Sequence, residues 1–134
     1  MTIDEYDINS TEKQYVFADS INTRFDVDCL NGIERLIIGS QCFQEVNRFV
    51  LDGLNELKIV IIGEWSFDLD ENSRIGSSCV IMNCDQLNEI HFGAFSFYWY
   101  ESFELKNLPS LISIQLGDRA FRNCHVIVFD SMND

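Results

Sequence analysis

Five cysteines (Cys29, Cys42, Cys79, Cys84 and Cys124) and two histidines (His91 and His125) are the residues best equipped to hold a soft metal or supply a nucleophile. Their spacing matches no zinc or redox pattern, and no Cys-x-x-Cys pair occurs. The odd count leaves at least one thiol unpaired within the chain, so reduced thiols in a non-oxidising compartment are expected. A metal site of Cys79, Cys84 and His91 would need His91 inward, whereas the alternation described below points it outward. Cys124 and His125 are neighbours on a strand-like segment and point to opposite sides, which separates thiol from imidazole. Asp68-x-Asp70-x-Asn72 opens like a calcium loop, but the loop's glycine position holds Ser73 and its closing glutamate position holds Cys79. The stretch therefore reads as a solvated loop. Neither a Gly-x-Ser-x-Gly elbow nor a glycine-rich phosphate cradle is present. The remaining carboxylates are scattered over turns. The chain reads as non-enzymatic, with no cofactor and no metal expected.

The elements that must position these residues emerge from composition and periodicity. The chain has 134 residues and a formal net charge of −13. That charge argues against a nucleic-acid backbone or an anionic membrane as partner. Hydrophobic residues make up 46 %, too many for a disordered chain, and one domain burying roughly 68 % of its surface is expected at this length. No apolar run is long enough to span a bilayer, so no membrane insertion is expected. The start, Met1-Thr2-Ile3-Asp4-Glu5-Tyr6-Asp7, lacks the apolar stretch of a secretory signal. A cytoplasmic setting is expected for the chain as written, and an extracellular or cell-surface one if it is a fragment. The sequon Asn9-Ser10-Thr11 matters only in a secreted protein.

Self-similarity then organises the chain. Glycine follows an apolar triplet at Leu36-Ile37-Ile38-Gly39, Val60-Ile61-Ile62-Gly63, Ile90-His91-Phe92-Gly93 and Ile114-Gln115-Leu116-Gly117, with spacings of 24, 30 and 24. Four residues after each glycine stands Phe43, Phe67, Phe97 or Phe121, preceded by Cys42, Ser66, Ser96 or Ala120. The units open with Leu30, Leu54, Cys84 and Leu108, and Ile33, Leu57, Leu87 and Leu111 follow. A second alternating segment closes each unit: Phe49-Val50-Leu51, Cys79-Val80-Ile81, Phe103-Glu104-Leu105 and Ile127-Val128-Phe129, with Phe25-Asp26-Val27 as its first copy. The longer spacing reflects an insertion within 68–78, which reads as an exposed loop because a loop lengthens cheaply and a stacked strand does not. Period-2 alternation predicts two short strands per 24-residue unit, and stacked units would share one column of leucines and one row of phenylalanines. Each strand-closing glycine is expected to supply a tight turn with φ above zero. Residues 1–24 fit the repeat poorly and read as an N-terminal cap, with Tyr15-Val16-Phe17 either a strand or part of a short helix starting near Ser10 or Thr11. Residues 25–134 form the repeat array. The chain stops directly after a second-strand segment, which suggests a fragment, a truncated gene product or an end-to-end oligomer.

The unit resembles the leucine-rich repeat of the surface-antigen (BspA-like) type, which reads Leu-x-x-Ile-x-Ile, a turn, then a small residue and Phe. Leu57 to Phe67 and Leu111 to Phe121 match it well. The family's turn proline is replaced by Gly39, Gly63, Gly93 and Gly117, and its trailing cysteine occurs only at Cys124. The resemblance implies a right-handed, mostly β solenoid that binds proteins or cell surfaces through its exposed faces.

Outward positions are where such a scaffold would act. On the first strands these are Arg35 and Ile37, Ile59 and Ile61, Glu89 and His91, Ser113 and Gln115. Ile37, Ile59 and Ile61 form a ladder, either cross-strand packing or a binding stripe. Trp65 and Phe95 share one turn position, and Tyr98 and Trp99 follow close by, so the four aromatic residues are expected on one corner. They would serve there as binding anchors, unless the inserted loop, with Leu69 and Ile75, folds over them. Two functions follow: a protein-interaction module, or a structural unit that self-associates through its open end.

Overall fold

The computed structural model describes residues 14–17, 25 and 27–130. The chain is mostly β, with nine strands in two parallel sheets and no α-helix among the described residues. The strands are β1 (Gln14–Phe17), β2 (Arg35–Ile38), β3 (Arg48–Asp52), β4 (Ile59–Ile62), β5 (Ser78–Met82), β6 (Glu89–Phe92), β7 (Ser102–Lys106), β8 (Ser113–Leu116) and β9 (Val126–Asp130). The first sheet runs β1-β2-β4-β6-β8 and the second β3-β5-β7-β9. Each unit thus places one strand in each sheet, and the register is the register of the repeat. Leu36 pairs with Val60 and Val60 with Ile90 in one sheet, while Phe49 pairs with Cys79 and Cys79 with Phe103 in the other.

Tyr15-Val16-Phe17 is therefore strand, extending the first sheet by pairing β1 with β2. The rest of the expected cap, the helical alternative near Ser10, the sequon and residues 131–134 lie outside the described residues. Of the expected first copy of the second strand, Phe25 and Val27 are described, and neither lies in the second sheet. Val27–Leu30 is a 3₁₀ turn instead, which leads into the Ile33 N–H bond to the Leu30 carbonyl. Phe25 still packs as its repeat position predicts, with its ring 4.9 Å from Phe49 and 5.3 Å from Phe43.

The core is the space between the sheets. The inward residues Leu36, Ile38, Val60, Ile62, Ile90 and Phe92 of one sheet meet Phe49, Leu51, Cys79, Ile81, Phe103 and Leu105 of the other. The phenylalanines after the glycines line up in a single interior row. Ring centroids are 5.4 Å apart for Phe43–Phe67, 4.9 Å for Phe67–Phe97 and 4.8 Å for Phe97–Phe121, with the last two pairs within 3° of parallel. The buried serines that precede two of them are satisfied. Ser66 Oγ donates to the Gly39 carbonyl at 2.7 Å and accepts from the Cys42 amide, and Ser96 Oγ donates to the Gly93 carbonyl.

The strand-closing glycines have a different cause from the expected one. Among the described residues, positive-φ glycines are Gly32, Gly53 and Gly76, so the repeat glycines do not supply left-handed turns. They are required by close approach of successive units. A Cβ on Gly63 would lie 2.6 Å from the Ser40 nitrogen, on Gly93 2.7 Å from the Glu64 nitrogen, and on Gly117 2.3 Å from the Ala94 nitrogen. The left-handed residues come afterwards. Gln41, Trp65, Phe95 and Arg119 have φ of 59–61°, and Phe43, Phe67, Phe97 and Phe121 have φ of 53–55°. A bulky residue there costs roughly 1–2 kcal/mol. What offsets that cost is hydrogen bonding between units. Trp65 N–H donates to Ala94 and Phe95 N–H to Asp118 of the following unit, while Phe67 N–H donates back to Cys42 and Phe97 N–H to Ser66.

Candidate functional site

The four aromatic residues singled out from sequence meet on one corner. Trp65 and Phe95 occupy the same left-handed position in adjacent units, and the unit spacing brings their rings face to face, 4.1 Å apart and 3° from parallel. Tyr98 stacks on Phe95 at 5.9 Å, and Trp99 meets Tyr98 edge-on at 5.5 Å. Arg119, one unit further along, lies with Cζ 5.7 Å from the Phe95 centroid, a cation–π arrangement. Trp65 is 40 % exposed, while Phe95, Tyr98 and Trp99 are half-buried.

The inserted loop does not seal this corner. Leu69 packs against the core, but Ile75 is 77 % exposed. The loop is drawn instead towards the start of β7. Arg74 Nη1 lies 3.2 Å from Glu101 Oε2, and the Gly76 N–H donates to Glu101 Oε1 at 3.0 Å. An Asx turn stiffens its tip, with the Ser73 N–H and Oγ both donating to Asp70 Oδ1 and holding that carboxyl below its ordinary range.

Beside the corner is an open cleft of about 350 Å³ lined by Gln44, Glu45, Asp68, Leu69, Asp70 and Ser73. Gln44 joins the two features, since its Nε2 donates to the Trp65 carbonyl at 3.2 Å and to Asp68 Oδ2 at 3.4 Å. Asp68 Oδ2 takes the Gln44 bond, while Oδ1 is turned away from solvent. Burial pushes the Asp68 carboxyl up to about 6, against the opposing pull of its hydrogen bonds.

The isoleucine ladder is not a displayed stripe. Ile37 is 1 % exposed and Ile61 0 %, although neither belongs to the core cluster. They are in register on neighbouring strands, where β-branched side chains pack flank to flank. Ile59 is half-buried and lines a second cleft of about 310 Å³ with Arg35, Lys58, Asn88 and Glu89. His91 faces outward as expected, with Nε2 3.2 Å from Glu89 Oε1.

Cys42, Cys79 and Cys84 are buried free thiols, and Cys124 is half-buried. Burial raises the thiols of Cys79, Cys84 and Cys124 above the ordinary range, which disfavours the reactive thiolate. No group of three or more His, Cys, Asp or Glu residues suited to a metal occurs among the described residues.

Two arrangements escaped the sequence reading. Tyr100 is fully buried, and its hydroxyl donates to the Val46 carbonyl at 2.5 Å, two units away. The insertion diverts the second unit just where Val46, Tyr100 and Cys124 follow the row phenylalanine in the other three, so Tyr100 reaches across the gap. The second is an amide ladder in which Asn107 Nδ2 donates to Asn83 Oδ1 at 3.0 Å and Asn83 Nδ2 to Asp52 Oδ1 at 2.9 Å. Its signal was in the sequence: Gly53, Asn83 and Asn107, all residue types that tolerate φ above zero, follow successive second strands.

Comparison of the chain with protein-family models, with curated proteins and with solved structures found no match.

Proposed function

We propose that this chain is a non-enzymatic protein-interaction module built as a right-handed, leucine-rich-repeat-like solenoid, and that the corner of Trp65, Phe95, Tyr98 and Trp99 contacts the partner. The exposed Trp65–Phe95 stack is the observation that carries this reading. Large flat side chains held rigid at a surface are the usual anchors of protein interfaces. One strand per sheet per unit, in unbroken register, supports the solenoid description. A selection of random displayed peptides on the immobilised chain, run in parallel on the Trp65→Ala/Trp99→Ala double variant, tests the reading. Sequences enriched on the wild type and lost on the folded double variant support it. No enrichment, or equal enrichment on both, overturns it.

A second reading has its own observation. Ile127 is 60 % exposed, Phe129 50 % and Leu116 45 %, although the equivalent inward positions of preceding units are buried. The outer edges of β8 and β9 pair with no further strand among the described residues. Another unit of the same pattern, supplied by a second copy, would cover them, giving a self-associating structural role. Sedimentation tests it: association abolished by Phe129→Asp supports this role, and a monomer at high concentration overturns it.

A further inference from the structure

Resting on the reading of the aromatic corner as a partner site, we propose that it recognises a proline-rich segment of the partner protein in the extended polyproline II conformation, whose rings pack on the corner's aromatic faces and whose carbonyls accept hydrogen bonds from the Trp99 indole and the Tyr98 hydroxyl.

The balance of donors and acceptors selects this occupant. The corner offers flat apolar faces, the Trp65–Phe95 stack and the Trp99 ring set at 78° to Tyr98. Its polar tips are donors. Trp99 Nε1 and the Tyr98 hydroxyl make no hydrogen bond among the described residues, and neither is sealed from solvent. The occupant must therefore bring apolar surface together with acceptors. A proline-rich segment does so, because each proline carries a ring and lacks an N–H, and polyproline II pairs none of its own carbonyls. Other backbone conformations fit less well. An added strand needs a free sheet edge, whereas the backbone of this corner is already engaged. The N–H groups of Trp65, Phe95 and Trp99 donate to the Ala94, Asp118 and Asp68 carbonyls, and the Trp65 and Tyr98 carbonyls accept from Gln44 Nε2 and the Asn123 N–H. A helix holds its carbonyls in its own ladder and leaves the indole and the phenol to side chains alone. Rigidity favours the same pairing. The stack is held in place, with Arg119 Cζ 5.7 Å from the Phe95 centroid, and polyproline II is stiff before it binds, so little freedom is lost on contact. Glu45 and Asp68 alongside disfavour acidic residues in the segment.

The test uses peptides from the selection above whose enrichment is lost on the Trp65→Ala/Trp99→Ala variant. They are expected to carry two or more prolines and, free in solution, to show the circular dichroism of polyproline II. In synthetic versions, replacing two prolines with alanine should weaken binding to the wild-type chain about fivefold or more by titration calorimetry. Tyr98→Phe in the protein keeps the ring and removes only the hydroxyl, and should weaken binding about threefold to tenfold. The peptide substitution needs no change in the protein, so misfolding of a variant does not confuse the result. Corner-dependent peptides without proline, alanine analogues that bind equally well, or a Tyr98→Phe chain that binds as tightly as wild type overturn this inference and leave the aromatic corner standing. Peptides that ignore the corner altogether overturn the reading beneath it.

Discussion

Substituting Gly93 separates two explanations of the repeat glycines. If glycine were needed for a left-handed turn, asparagine would be the best replacement, since it tolerates that conformation. Asn83 and Asn107 do so here, at φ of 57° and 51°. If it is needed because successive units touch, alanine and asparagine are equally harmful, because each brings a Cβ. The structure places that Cβ 2.7 Å from the Glu64 nitrogen and 2.9 Å from the Gly63 carbonyl carbon. Both atoms are backbone, and the Gly93 N–H···O=C Ile62 bond of 2.7 Å ties the two units together at this point. Relief requires prising the units apart by several tenths of an ångström, which weakens that bond and the flanking ladder. Overpacking of this kind costs about 2–3 kcal/mol, or roughly 10 °C in melting temperature for a domain of this size. Gly53 is the internal control. Its φ is +76° and a Cβ there meets nothing within 4 Å. Gly53→Asn should be nearly neutral and Gly53→Ala should cost about 1 kcal/mol. Thermal melts followed by far-ultraviolet circular dichroism would read all four variants. A Gly93→Asn protein as stable as wild type, with Gly93→Ala destabilised, would refute the close-approach account.

Three further measurements bear on the buried polar groups. Asp68→Asn is expected to raise stability near neutral pH. The folded chain holds the Asp68 proton more tightly than the unfolded chain, up to about 6 against 3.8. The resulting stabilisation is full below pH 3.8 and lost as pH rises through 6, so the variant's gain should be about 1 kcal/mol near neutrality, after discounting for half exposure, and should vanish in acid; a gain unchanged in acid would contradict it. Tyr100→Phe should cost about 1–3 kcal/mol in urea unfolding, because the Val46 carbonyl loses its hydroxyl donor; a loss within error would show that the hydroxyl does not close the gap left by the insertion. Of Cys79, Cys84 and Cys124, a disulfide thiol reagent should modify Cys124 first in the native chain and reach the other two only on unfolding, and equal rates at all three would contradict their burial.

The repeat was legible because stacking imposes the same demand on every unit. A position that must bury a phenylalanine in one layer must do so in the next, so Phe43, Phe67, Phe97 and Phe121 declared the interior row before any coordinates did. What was hidden arises between units. The approach of Gly93 to Glu64 is a distance between two chain segments, and glycine in a sequence looks the same whether it serves φ or proximity. The left-handed backbone at Phe67 and Phe97 runs against residue preference and is tolerated only because their N–H groups find carbonyls one unit back. Tyr100 compensates for an insertion in a different unit, so no local pattern announces it. Ile37 and Ile61 alternate outward as read, but alternation assigns a side of the sheet, not exposure to water. At the corner the co-location of Trp65, Phe95, Tyr98 and Trp99 followed from the spacing, whereas the acidic cleft depended on where the inserted loop turned.

That turn position also explains why the aromatic pair calls for a functional account. Gln41, Trp65, Phe95 and Arg119 share the same φ within 2°, so the backbone accepts polar, charged and aromatic side chains there alike. None of the four belongs to the core cluster. Two positions later, phenylalanine stands in all four units, because the interior must be filled. One column is therefore fixed by packing and the other is free of it. A residue imposed by packing needs no further cause, but tryptophan and phenylalanine in adjacent layers of a column that glutamine and arginine also satisfy are not imposed in this way. They stack and remain partly open beside the carboxylates of the cleft, on a chain whose formal charge is −13. Isolated exposed apolar residues are ordinary on a protein surface. Four aromatic side chains converging on one corner are the reason the proposed interaction role is placed there and not on the isoleucine ladder.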